Sequence, residues 1–223
     1  MQGLTYSVDV AICIDATGSM HAIIDSAKGG ALRFYDDLKA AMDAKHKVID
    51  RLRVRVVAFR DYFFDGQASM NASRFFDLPE EKEAFEAFLK GVRADGGGDE
   101  PESGLEALTV AIRSDWNRDG DRKRQVIVVW TDASAHALEH TLKSPPPGYP
   151  ADFPADFNAM TDLWEGQTMS AVAKRLILFA PDVYPWKEIS DYWNNVIHYP
   201  SQAGAGLADV DYRAILDVIA NSV

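Results

Sequence analysis

The sequence predicts an α/β fold in which a parallel sheet is covered by helices on both faces. Three observations lead there. Short β-branched runs alternate with longer amphipathic segments along the 223 residues. The runs SVDVAICI (7–14) and QVIVVWTDAS (125–134) are almost continuously apolar, as strands buried on both faces are. Finally, 47% apolar residues suffice for one substantial core at this length.

The elements follow in order. Residues 7–14 read as the first strand. Residues 19–43 read as a long helix, with Ile23, Ala27, Ala31, Phe34, Leu38 and Ala41 at helical spacing. LRVRVVAFRD (52–61) alternates before turning apolar and reads as a second strand ending at Asp61, and SRFFDL (73–78) as a short edge strand. EEKEAFEAFLK (80–90) is an amphipathic helix with acids in its first turn, where the helix dipole favours them. A glycine-rich acidic loop, GVRADGGGDEPESG, leads into a helix over 102–114, and 125–134 is the most apolar strand. The stretch 143–161 holds five of the ten prolines and reads as a long surface loop. RLILFAP (175–181) and NNVIHYP (194–200) are two further strands, and LADVDYRAILDVIAN (207–221) is a closing helix that argues for one domain over 1–223.

Charge and cysteine content narrow the function. With 23 basic against 34 acidic residues the net charge is −11, which disfavours nonspecific attraction to nucleic acid or an anionic membrane and suits cations, basic surfaces or metal-bridged partners. The single cysteine, Cys13, sits in the first strand, so no internal disulfide forms and a buried thiol in a reducing compartment is expected. No basic start followed by a long apolar stretch opens the sequence, and no window reaches the ~18 apolar residues of a membrane span, so a soluble cytoplasmic protein is expected.

The candidate site lies where strands end. Open α/β sheets bind ligands at the carboxyl edge of their strands. Asp15 ends the first strand, Asp132 ends the strand at 125–131, and Asp99 lies in the glycine-rich loop. Carboxylates brought together repel unless a hard divalent cation holds them. Thr17 and Ser19 follow Asp15 at steps of two, and neutral hydroxyl oxygens suit Mg²⁺ or Mn²⁺; Gly18 permits the tight turn. The competing structural reading is a strand end with a helix N-cap. Asp99 has its own competing reading, an N-cap of the helix before Glu102. Asp61 reads as a salt-bridge partner of Arg60 or as part of the rim.

The pattern Asp15-x-Thr17-x-Ser19, a long helix, and a later strand ending Trp130-Thr131-Asp132 resemble the von Willebrand factor A domain and its metal-ion-dependent adhesion site, over nearly the whole chain. The resemblance implies a doubly wound, mostly parallel six-stranded sheet with a short antiparallel edge strand. It carries over Asp15, Thr17, Ser19 and Asp132 as metal ligands. Asp99 departs from the family's threonine, and GGGDEPESG resembles a Gly-Gly-Asp-x-Pro-Glu branch found in bacterial and protist proteins. Three carboxylates around one dication leave less positive charge for an acidic ligand. Either Asp99 binds the metal, directly or through water, or Glu100 and Glu102 face outward and select a basic partner. Gly97, Gly98, Glu100, Glu102 and His136 form the expected rim. The resemblance implies a non-catalytic module that holds an unknown protein partner at Mg²⁺ or Mn²⁺, in a system with a kinase, phosphatase, ATPase or stress-response protein.

Rival enzymatic readings are weaker. Metal-dependent phosphohydrolases of the haloacid-dehalogenase type need an acid two residues after the strand-end aspartate, and Thr17 stands there. His136-x-x-Glu139-His140 fits an inverted zinc-peptidase pattern, yet begins in a loop and lacks a third ligand segment. Gly204-x-Gly206 is half a dinucleotide fingerprint without its third glycine. Trp164, Trp186 and Trp193, near loops, are candidates for a partner surface.

Overall fold

The computed structural model describes residues 6–98, 100–120, 122–201, 217 and 220. In chain order the elements are β1 (Tyr6–Asp15), α1 (His21–Asp43), β2 (Arg51–Phe59), α2 (Tyr62–Asp65), β3 (Met70–Ala72), β4 (Phe76–Leu78), α3 (Lys82–Gly91), α4 (Gly104–Ile112), β5 (Arg122–Trp130), α5 (Leu138–Lys143), α6 (Phe157–Glu165), β6 (Lys174–Pro181), α7 (Trp186–Tyr192) and β7 (Val196–Ser201). A 3-10 turn over Gly18–Met20 starts α1.

The sheet runs β3-β2-β1-β5-β6-β7, and β4 also pairs with β2. Strands β2, β1, β5, β6 and β7 are mutually parallel, while β3 and β4 lie antiparallel along β2. The expected doubly wound, mostly parallel sheet is therefore present, with seven strands rather than six because its antiparallel edge is broken into β3 and β4. Val57–Phe59 pair with β3 and Leu52–Val54 with β4. Ser73 bridges the break: its N–H donates to Val56 O at 2.9 Å and its hydroxyl accepts from Val56 N at 3.0 Å.

Both faces of the sheet are covered, which is why β1, β2 and β5 turn continuously apolar toward their carboxyl ends. On one face Val8, Val10, Ile12 and Ile14 of β1 pack with Ile24, Leu38 and Met42 of α1 and Phe85 and Leu89 of α3. On the other, Ala11 and Cys13 meet Leu105, Leu108 and Ile112 of α4, Trp164 of α6 and Trp186 of α7. Burial pushes the Cys13 thiol up to about 12, so it is an inert packing group. Asp9, also buried within β1, is neutralised by Arg53 through contacts of 2.9 and 2.6 Å and accepts from Asn117 N at 2.6 Å.

Several expectations are corrected. The segment 143–161 is not loop throughout: α6 begins at Phe157, where Asp156 caps it by accepting from Ala159 N at 2.8 Å. Helices α5 and α7 were not anticipated. Trp164, Trp186 and Trp193 are buried and belong to the core, so they offer a partner no surface. The glycines at 204 and 206, and all of the closing helix except residues 217 and 220, lie outside the described residues.

Candidate metal site

The strand order places the site. From β1 the chain winds outward through β2 to the β3 and β4 edge, then crosses back to lay β5 on the other side of β1. The segments leaving β1 and β5 therefore diverge and open a crevice at the carboxyl edge. Asp15 is the last residue of β1, and Ile14 pairs with Trp130, which puts Thr131 and Asp132 beside it.

A continuous run of oxygens crosses this crevice. Asp15 Oδ1 accepts from Thr17 N at 2.9 Å and from Thr17 Oγ1 at 2.6 Å, and Asp15 Oδ2 accepts from Thr131 Oγ1 at 2.6 Å. Thr17 Oγ1 lies 3.2 Å from Ser19 Oγ, which donates to Asp132 Oδ1 at 3.1 Å. The sequence-predicted Asp15, Thr17, Ser19 and Asp132 are thus brought together. Thr17 makes no side-chain cap bond to the following turn, so the competing N-cap reading does not account for its hydroxyl. Asp99 lies outside the described residues. The helix after it starts at Gly104, and the hydroxyl of Ser103 accepts from Tyr62 N at 2.9 Å.

Backbone ties hold the glycine-rich second loop against the first and third. Asp95 N donates to Ala16 O at 2.9 Å, and Gly18 N donates to Gly96 O at 3.2 Å. Gly97 N donates to Asp65 Oδ2 at 3.0 Å. Gly97 has φ +90, and a Cβ there would stand 2.5 Å from Thr17 Cγ2 and 2.9 Å from Glu102 Oε1. Only glycine lets the loop pass so close behind Thr17. Glu102 N donates to Ser134 O and Glu102 O accepts from His136 N, both at 3.0 Å, which ties the second loop to the third.

The expected rim divides. Gly98 and Glu100 are exposed, Gly97 is buried, and Glu102, expected outward, is only 5% exposed. His136 is half-buried, with its Nε2 3.1 Å from Asp61 Oδ1, and its ring lies 4.8 Å from that of Phe63. Asp61 also caps α2 by accepting from Phe63 N at 3.1 Å; it does not bridge Arg60, whose guanidinium donates to Ala16 O and Arg93 O. His140 lies inside α5 whereas His136 precedes it, so the pair does not share one helical turn as the zinc-peptidase pattern requires. Sequence reasoning missed Thr131 as a partner of Asp15, although it stands in the quoted Trp-Thr-Asp. It also missed Phe63 and Phe64, which are 43% and 66% exposed beside the site.

The electrostatics suit a cation. Burial raises Asp15 to about 6, against the lowering effect of Thr131 and Thr17, with the Asp132 charge adding to the rise. Burial also raises Asp132. Glu102 is pushed up to about 9, by burial first and then by the charges of Asp15, Asp61, Asp65 and Asp132. Of the four carboxylate oxygens buried without a hydrogen-bond partner among the described residues, two are on Glu106 and Glu188, and two, Asp132 Oδ2 and Glu102 Oε2, belong to the loops at this crevice. Buried acceptors normally find a donor, so these two orphans fit an ion that supplies positive charge. Among the described residues no three His, Cys, Asp or Glu side chains gather tightly enough to hold a metal alone. The hydroxyls of Thr17 and Ser19 stand between Asp15 and Asp132 as further oxygens within reach of a cation.

Residues 9–144, more than half of the chain, match the von Willebrand factor A domain family. The chain belongs to that family. Domains of this family typically mediate protein–protein interaction. The alpha-protein kinase vwkA of Dictyostelium discoideum is 25% identical over 157 residues, which covers 70% of this chain but only 23% of the kinase. Among solved structures, the pilus adhesin SpaC from Lactobacillus rhamnosus GG aligns over 96% of this chain and 30% of its own, at 11% identity and a TM-score of 0.57. Its open conformation aligns over 96% and 29%, at 11% identity and a TM-score of 0.53. At this identity the likeness is one of fold. The chain spans about a quarter of the curated relative's length, and no helix among its described residues is long and apolar enough to cross a membrane.

Proposed function

We propose that this domain is a non-catalytic, divalent-cation-dependent interaction module that holds a protein partner at or near a Mg²⁺ or Mn²⁺ site. The observation that carries the reading is the buried, unpartnered Asp132 Oδ2 at the end of the hydroxyl run formed by Thr17 and Ser19. Thr17 Oγ1, Ser19 Oγ and Asp132 would hold the ion. Asp15, whose two oxygens already accept from Thr17 and Thr131, would orient Thr17 and contribute charge from behind. A bound Mg²⁺ takes about six oxygens and keeps some waters, and one such position is where an oxygen of the partner would enter. Ser19 is exposed while Asp15, Thr17 and Asp132 are buried, so approach is from the Ser19 side, beside the exposed Phe63 and Phe64.

The likeness to the Dictyostelium alpha-protein kinase supports a setting beside a kinase, and a cytoplasmic setting accords with the single buried thiol. The test is capture of partners on immobilised protein in Mg²⁺ and in excess chelator, beside Ser19→Ala. A partner retained only with metal, and lost with Ser19→Ala, supports the reading. One that stays bound in chelator refutes the metal bridge for that partner. Turnover of a generic phosphate ester, lost in Asp15→Asn, would favour the phosphohydrolase instead.

A further inference from the structure

Glu102 occupies an unusual position for an acid in a loop rich in acids. It is only 5% exposed, and its Oε2 has no hydrogen-bond partner among the described residues. Its other oxygen faces the inner side of the cation loop, because Glu102 Oε1 and Thr17 Cβ and Cγ2 all crowd the space beside the Gly97 Cα. The backbone fixes that placement on both sides. Residue 102 forms an isolated parallel bridge with Ala135, three residues after Asp132, and bonds Ser134 and His136. The backbone of residue 102 is therefore pinned between the second and third loops. A buried carboxylate oxygen with no donor is destabilising, and natural structures keep such groups where an ion, a water or a function uses them.

Resting on the cation-site reading above, we propose that Glu102 is an acid that the second loop contributes to the cation site, acting through its unpartnered Oε2 to position the ion or its waters. A cation, or a water of its hydration shell, would supply the partner that the orphaned Oε2 lacks. Glu102 then acts as a positioning residue, and once a cation draws it into its ionised form its negative charge also disfavours a carboxylate as the partner's contribution. A neutral carbonyl or hydroxyl oxygen, with a basic neighbour facing the exposed Glu100, fits that charge balance better.

The experiment is calorimetric titration of Mg²⁺ and Mn²⁺ into chelator-stripped protein, with thermal melting in chelator alongside, for wild type, Glu102→Gln and Glu102→Asp. Loss of a residue that orients the first ring of ligands costs about 10–100-fold in metal affinity, and Glu102→Gln is expected in that range. Its melting temperature in chelator is expected to stay level or rise, because a neutral amide replaces a buried acid. Glu102→Asp keeps the charge and is expected to bind between the two; it carries the test if Glu102→Gln does not fold. Wild-type affinity in either variant, with only the chelator melt altered, overturns the proposal and makes Glu102 a packing acid. Wild-type protein that takes up neither ion refutes the cation site itself, and this proposal with it.

Discussion

Replacing Gly97 by alanine tests how tightly the second loop backs the site. The residue has φ +90, and its added Cβ would stand 2.5 Å from Thr17 Cγ2 and 2.9 Å from Glu102 Oε1. A left-handed backbone costs an L-residue ~1–2 kcal/mol, and forcing a methyl into packed surroundings costs ~1–3 kcal/mol more. The sum, about 2–5 kcal/mol, corresponds to a fall of roughly 5–20 °C in melting temperature for a domain of this size. Gly91→Ala is the control, since a Cβ there meets nothing within 4 Å at a helix end; it is expected to be neutral or slightly stabilising, by up to ~1 kcal/mol. Because relief of the clash must displace Thr17 or Glu102, Gly97→Ala is also expected to weaken Mn²⁺ binding, whereas Gly91→Ala leaves it intact. Differential scanning calorimetry reads the first effect and titration the second. Equal melting temperatures for the two variants would refute the packing argument.

Two further outcomes follow from the same geometry. Thr131→Val keeps the shape but strips Asp15 Oδ2 of its 2.6 Å donor, and a buried acceptor left unpaired costs ~1–3 kcal/mol, readable by denaturant titration; an unchanged midpoint would mean the bond contributes nothing. Glu106 is fully buried, with Tyr149 donating to one oxygen at 2.8 Å, and burial raises it to about 7. Between pH ~4.5 and ~7 the unfolded chain has lost this proton while the folded one keeps it, so stability falls as pH rises through that window, by up to ~3 kcal/mol. Glu106→Gln is expected to flatten that part of the melting-temperature profile, and a slope equal to wild type would contradict the assignment.

Much of this molecule is legible in its sequence because two of its patterns are unambiguous. Strands buried on both faces read as apolar runs, which placed β1 and β6 within one residue of their bounds and β5 within three or four. Strand-end acids and hydroxyls belong together only if the strands are neighbours, and the adjacency of β1 and β5 makes Asp15 and Asp132 so. The misses have physical causes. Helix α6 hides behind prolines, although Asp156 and the Phe157, Met160, Trp164 spacing mark its cap and apolar face. Helix α7 is seven residues long, too short for its two buried residues, Trp186 and Ile189, to establish a period. Nothing local distinguishes Glu102 from Glu100, since one is buried and the other exposed only through the bridge that residue 102 makes to the third loop. Such an assignment depends on tertiary contact, and periodicity does not carry it.

The most direct test of the cation site is calorimetric titration of Mg²⁺ and Mn²⁺ into chelator-stripped wild-type protein, beside Asp132→Ala and Ser19→Ala. Saturable binding at one site in wild type, lost in Asp132→Ala and weakened in Ser19→Ala, is the result this account predicts. No heat and no metal-dependent rise in melting temperature in wild type would mean that the oxygens joining Asp15 to Asp132 serve only to fasten the loops, and the account would fall.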